Sequence, residues 1–322
     1  MAYRGVDPWR WQYFAPVPCP PGIDIPIDEA SAWAVHPEFR HVHNKLWISA
    51  SQGLAHAPHG VHPPRYPVFS KPIYKMRGMG TGSRVLRSRG EYDAALTPGH
   101  MWMKLLTGAH LSTDVAILRG EPRWWRHTTA TPLADGTFDD WHVAAAPKPK
   151  LEQYLAAWTR HNLAQFTGVV NFETIAGRII ECHLRMSEQW IDLNGEGWLD
   201  SVVELYRAES WCFGDGDRRD GYSVVLFGPH GMKLAAPPRS LIADVRRSEP
   251  SVSSIQITFE ATRPSAEHAM PPGGFRLAIV NAWDRAAGRR ARARLAAHFG
   301  VAPPASRPAA PPAVISASSG TR

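Results

Sequence analysis

The sequence predicts a mixed α/β (α+β) protein. Three observations lead there: helix-spaced apolar residues at 42–54 and 151–166, β-rich runs from Pro67 to about 130, and a strand pair at 168–185 folded on Ala176-Gly177. With 322 residues, 44% of them hydrophobic, the chain can bury one large core or two moderate ones.

In chain order, residues 1–30 carry Pro16, Pro18, Pro20, Pro21 and Pro26 among aromatics, which blocks regular helix and suits an extended segment laid over a core. V-H-N-K-L-W-I-S-A-S-Q-G-L (42–54) has apolar residues at helical spacing and ends on Gly53, so a short helix is expected. A His/Pro-rich connection over 56–67 precedes the β-rich V-F-S-K-P-I-Y, a glycine-rich turn at 78–82 and a second strand near Ser83–Leu86. Strands are expected at 101–106 and 111–118 around Gly108, continuing through E-P-R-W-W-R-H-T-T-A. Leu151, Tyr154, Leu155, Trp158 and Leu163 predict a helix. G-V-V-N-F-E-T-I alternates, turns at Ala176-Gly177 and returns as R-I-I-E-C-H-L-R. Later strands are expected at Tyr222–Phe227, Ser254–Phe259 and Phe275–Val280, and the Pro/Ala/Ser-rich 302–322 suits disorder.

Composition narrows the classes. No apolar run approaches the roughly 18 residues that cross a bilayer, and the start lacks an apolar signal core, so neither membrane spanning nor export is expected. Cys19, Cys182 and Cys212 cannot all pair and have no zinc-knuckle spacing, which suits a reducing, cytoplasmic setting. The net charge of +7 sits in the last segment: Arg285, Arg289, Arg290, Arg292, Arg294, Arg307 and Arg322 follow the last acidic residue, Asp284. The body is therefore neutral and offers no extended basic groove. The arginine cluster 285–294 favours a solvated terminal helix.

Two groups carry chemistry. Lys71 precedes Gly78, Gly80, Gly82 and Ser83, and alternate glycines let backbone N–H groups approach an anion while the lysine offsets phosphate charge. Taken alone, this loop reads first as an ordinary glycine-rich hairpin; it has no G-K-[ST] and opens no helix. The second group is Asn171, Glu173, Glu181, His183 and Arg185 on the strand pair, where residues two apart share a face. Carboxylates and amides are the ligands that magnesium prefers, although each residue singly suits a solvated polar face.

In this order the elements resemble the ATP-grasp superfamily, to which carboxylate–amine ligases and biotin carboxylases belong, over roughly Asn44–Leu205. The resemblance implies a two-lobed fold with antiparallel sheets sandwiching the nucleotide, a small lobe of about 60–105 and a large lobe of about 106–284. A proline-rich arm (1–43) precedes this 44–284 unit, and a basic helix (285–301) and tail (302–322) follow it. The resemblance further implies ATP and Mg2+ as cofactors, with Lys45 and Lys71 on nucleotide phosphates and main-chain groups of Met103, Lys104 and Leu105 facing the adenine. Asn171 and Glu181 match the metal-binding positions, Glu173 lies one same-face step away, and Arg185 matches the arginine that steadies the transferred phosphate.

Three departures stand out. Glu181-Cys182-His183 replaces Glu-x-Asn, so an imidazole stands where the family has an amide oxygen; His110 occupies a place often held by glutamate; and the usual front α/β domain of the family has no counterpart before Lys45. The implied function is an ATP-dependent ligase activating a carboxylate as acyl phosphate for attack by an amine or other nucleophile. The alternatives are a non-catalytic nucleotide-binding relative and a nucleic-acid-associated protein using the arginine-rich end. Trp124-Trp125 and Phe138–His142 favour core over a substrate wall, Arg276 is a candidate contact for an anionic substrate, and the His36–His43 cluster lacks the partners of a metal site.

Overall fold

The computed structural model describes residues 3–5, 8–74, 76, 82–133, 138–229, 231, 235–262 and 275–302. The N-terminal stretch holds β1 (Tyr3–Arg4), a 3-10 helix (Pro8–Tyr13), β2 (Ile25–Pro26), α1 (Glu29–Val35) and a second 3-10 helix (Pro37–His43). It is thus more ordered than an extended arm. Asp28 caps α1 by accepting from Ser31 N, a local hydrogen bond that starts a helix as soon as the prolines end.

After α2 (Lys45–Ala50) comes a four-stranded antiparallel sheet of β3 (His56–Pro58), β4 (Val68–Pro72), β5 (Arg84–Leu86) and β6 (His100–Lys104), in the order β3-β6-β4-β5, with α3 (Arg89–Ala94) preceding β6. The β4–β5 pair is the expected glycine-loop hairpin, with Val68 opposite Leu86. Gly78 and Gly80 lie outside the described residues.

An eight-stranded antiparallel sheet follows. Its members are β7 (His110–Leu118), β8 (Glu121–Pro132), β9 (Phe138–Ala144), β10 (Gly168–Ile175), β11 (Arg178–His183), β12 (Gly221–Gly228), β13 (Val252–Ile257) and β14 (Phe275–Ala282), in the order β11-β10-β7-β8-β9-β12-β14-β13. Helices α4 (Pro149–Asn162), α5 (Trp198–Ala208), α6 (Arg239–Ser248) and α7 (Arg285–Phe299), with a 3-10 helix at Glu188–Asn194, pack around it. Alternation along β7 and β10 feeds two cores. Val115, Ile117, Val170 and Phe172 pack with Leu155 and Trp158 of α4, while Ala116 and Val169 pack with α5 and with Phe14, Ile25 and Ile27 of the N-terminal stretch. Trp124 and Trp141 are core residues as well.

The terminal arginine helix is not a solvated one. Asp284 caps α7, which buries Ala287, Ala291, Leu295 and Phe299. Its charges meet acids on neighbouring elements: Arg285 and Arg289 reach Asp140, Arg289 and Arg292 reach Asp139, and Arg290 reaches Glu249. All three cysteines are free thiols. Among the described residues no helix is long and apolar enough to cross a membrane, and the 303–322 tail lies outside them.

Candidate active site

The site begins with a turn. Ala176 (φ 50°) and Gly177 (φ 73°) both take positive φ, the conformation of a two-residue hairpin whose twist matches the strands. From there the ladder runs Ile175 to Arg178 and Thr174 to Ile179, then shifts, so that Glu173 faces Glu181 and Asn171 faces His183. The extra residue, Ile180, is a β-bulge. Its carbonyl accepts from Nζ of Lys71 at 2.8 Å, which joins β4 of the four-stranded sheet to β11. Lys45, at the first turn of α2, places Nζ 3.5 Å from Glu181 Oε1. Both lysines are buried.

Donor atoms of Glu173, Glu181 and His183 all lie within 4.8 Å of one another. His183 Nε2 is 3.6 Å from Glu181 and 3.8 Å from Glu173, with no hydrogen-bond partner of its own among the described residues. Its Nδ1 meets Glu29 Oε1 at 2.7 Å. That carboxylate also accepts from Nε of Arg185 at 2.9 Å and lies 3.4 Å from His43 Nδ1. His110 sits 3.4 Å from Glu173.

The charges are mutually dependent. Burial alone would lower the His183 pKa, but Glu29 outweighs it and pushes the imidazole up to about 9. Burial would raise Glu29, yet the charges of His183 and Arg185 hold it well below the usual carboxylate range. Glu173 follows the same pattern, with burial opposed by His110 and His183. Against burial, the neighbouring Glu173 carboxylate raises His110. Asp114 on β7 differs: burial pushes it up to about 6 despite donors from Ser187 N, Asn171 and Trp190.

Several expected residues have contacts of their own. Asn171 commits its Nδ2 to Ser112 and Asp114, so its N–H donors orient a buried carboxylate. Met103 is a ladder residue in β6, which pairs with β3 and β4 at once, and Lys104 N donates to Ala55 O; of the three hinge residues, Leu105 alone lies past the strand. Gly82 (φ 79°) and half-buried Ser83 stand at the entry to β5. Arg276 contacts Gln189 and Glu188, and Arg10 reaches the same Glu188 at 3.0 Å. Sequence reasoning missed Glu29 and Asp114. The D-E-A-S helix start was the one available sign of Glu29, and an aspartate inside an otherwise apolar strand the one sign of Asp114.

No protein-family model and no curated protein matches the sequence. Solved structures do match. The chain is similar to N5-carboxyaminoimidazole ribonucleotide synthetase from Thermus thermophilus, at 15% identity and TM-score 0.57, over 88% of this chain and 83% of that one. Phosphoribosylamine–glycine ligase from Thermotoga maritima matches at 15% identity and TM-score 0.57, over 85% and 82%. N5-carboxyaminoimidazole synthase from Aspergillus clavatus, solved with ADP and 5-aminoimidazole ribonucleotide, matches at 13% identity and TM-score 0.56, over 87% and 77%. At such identities the likeness establishes a common fold.

Proposed function

We propose that this chain, which has the ATP-grasp fold, is an ATP-dependent ligase that activates a carboxylate as acyl phosphate for attack by an amine or other nucleophile. One observation carries the reading: Lys45 and Lys71 converge on the strand that bears Glu181, through contacts of 3.5 Å to its carboxylate and 2.8 Å to the preceding carbonyl. Two cations for nucleotide phosphates thus border the carboxylates for a metal ion.

The donor set fits a divalent cation. Two carboxylates and an imidazole nitrogen without a hydrogen bond surround one point, Glu29 on Nδ1 fixes the ring as second partners of ligating histidines do, and a cation bound there would displace the Nε2 proton that the ring carries without it. Glu173, Glu181 and His183 would hold it; carboxylates suit Mg2+, and the imidazole extends the set toward Mn2+. When bound, the cation offsets charge on the transferring phosphoryl group. Lys45 and Lys71 neutralise phosphate oxygens, and the main chain at Leu105 faces the base. The substrate carboxylate displaces ADP at the γ-phosphorus, Arg185 steadies the resulting acyl phosphate, and the nucleophile then displaces phosphate at the acyl carbon.

Calorimetry with ATP and Mg2+ on the wild type and on Lys71→Ala tests the first half, since a wild type blind to ATP removes the proposal. Phosphate release with amino acids and small carboxylates tests the second; nucleotide binding without release would favour the non-catalytic reading. Four arginines of α7, Arg285, Arg289, Arg290 and Arg292, are committed to Asp139, Asp140 and Glu249, which argues for the ligase reading over the nucleic-acid alternative on that helix.

A further inference from the structure

A cavity of about 1230 Å³ opens between β8, the 3-10 helix at Glu188–Asn194, the 213–219 loop and β13. Lys45, Lys71, Glu173, Glu181 and His183 do not line it, so it is separate from the cluster described above. Arg126 does line it. This arginine is 1% exposed, and its Nη2 donates to the carbonyls of Leu193 (3.0 Å) and Arg219 (2.7 Å). Its Nε and Nη1 have no partner among the described residues. Asp215 and Asp220 act on this guanidinium only through space, and native interiors leave few buried donors such as its Nε and Nη1 without a hydrogen bond.

The unused groups are concentrated here. Asn194 lines the cavity with both amide atoms unpartnered, Gln256 with its Oε1, and Asp192 with its Oδ2 while Oδ1 takes the amide of Asn281. A buried cation, a free carboxylate oxygen and two amides, supplied by three separate elements, form a complementary set for one kind of molecule.

We propose that this cavity binds a small carboxylate that also carries N–H donors, as an amino acid does. Its carboxylate lies toward Arg126, its ammonium or amide toward Asp192 Oδ2 and Gln256 Oε1, and Asn194 accepts or donates to either end. Binding here requires no nucleotide, so it stands or falls independently of ATP binding at Lys71.

The test is thermal shift and calorimetry on the full chain with each common amino acid singly, and with glutarate and butylamine, which carry only one of the two charges. At least one amino acid should raise the melting temperature. Glutarate and butylamine should bind about tenfold more weakly than that amino acid, since each leaves one charged partner unmatched. Arg126→Met should abolish the shift, and Asn194→Ala should weaken binding about tenfold while leaving ATP affinity unchanged. The proposal is overturned if no amino acid binds, if glutarate binds as tightly as the best amino acid, or if binding survives Arg126→Met. Should that variant fail to fold, unchanged affinity in both Asn194→Ala and Gln256→Leu overturns it equally.

Discussion

His183 Nδ1 lies 2.7 Å from Glu29 Oε1, and this contact ties the first α-helix of the chain to the end of β11. The same carboxylate holds Arg185. Glu29→Gln therefore leaves two buried or half-buried cations without their counter-charge. The expected loss is about 3 kcal/mol of stability, within the range for breaking one side of a buried pair. Urea denaturation checks it, and an unchanged midpoint would show that the N-terminal contact is dispensable.

Glu181→Gln keeps the shape of the side chain and removes its charge. The variant should fold like the wild type by circular dichroism and lose ATP-dependent phosphate release about 100-fold or more, the scale on which electrostatic stabilisation of a transition state is lost. A folded Glu181→Gln protein with wild-type turnover would remove the central assignment.

Burial would raise Glu188, but Arg10, Arg185 and Arg276 push it down to about 2. A carboxyl whose folded pKa lies below its unfolded value stabilises fully above the unfolded pKa, and that stabilisation disappears as the pH falls through the folded one. The shift from 4.5 corresponds to about 3 kcal/mol, lost between roughly pH 4.5 and 2. Glu188→Gln should flatten the urea midpoint over that window; a slope identical to the wild type would place the acid sensitivity elsewhere.

The buried Asp139 carboxylate accepts from Arg289 and lies 2.7 Å from Nη1 of Arg292, which is 4% exposed and donates to the Asp139 main-chain carbonyl. Asp139→Asn should cost about 3 kcal/mol, because Arg292 stays buried without its counter-charge. Glu249→Gln, facing the exposed Arg290, should leave the urea midpoint in place. Equal effects of the two variants would mean that α7 is held by its apolar face alone.

Much of the cluster was legible because its chemistry is local. Lys45 follows a helix-capping asparagine, Lys71 stands on a β-rich run before glycines, and Glu181 and His183 alternate on a strand, so each announces its element. Glu29, in contrast, gains its role only where a segment more than 150 residues away packs against it. The arginines of α7 misled for a related reason: a charge run looks solvated until the acids opposite it, Asp139 and Asp140 on β9, are brought into contact by the sheet. That Met103 lies in a strand paired on both sides was also beyond reach, because no run of residues announces both neighbours of β6.

By itself the sequence determined the periods, the turns and hence the elements, since these depend on side chains a few residues apart. It could not determine which face Glu181 takes. A two-residue turn at Ala176-Gly177 in plain register would set Glu173 opposite Ile180 and send Glu181 to the other side of the sheet. The bulge at Ile180 returns it to the face of Glu173, and Lys71, arriving from another sheet, bonds the carbonyl the bulge releases. One residue of register separates a pair of unrelated carboxylates from two that cluster with His183, and only packing between distant segments chooses it.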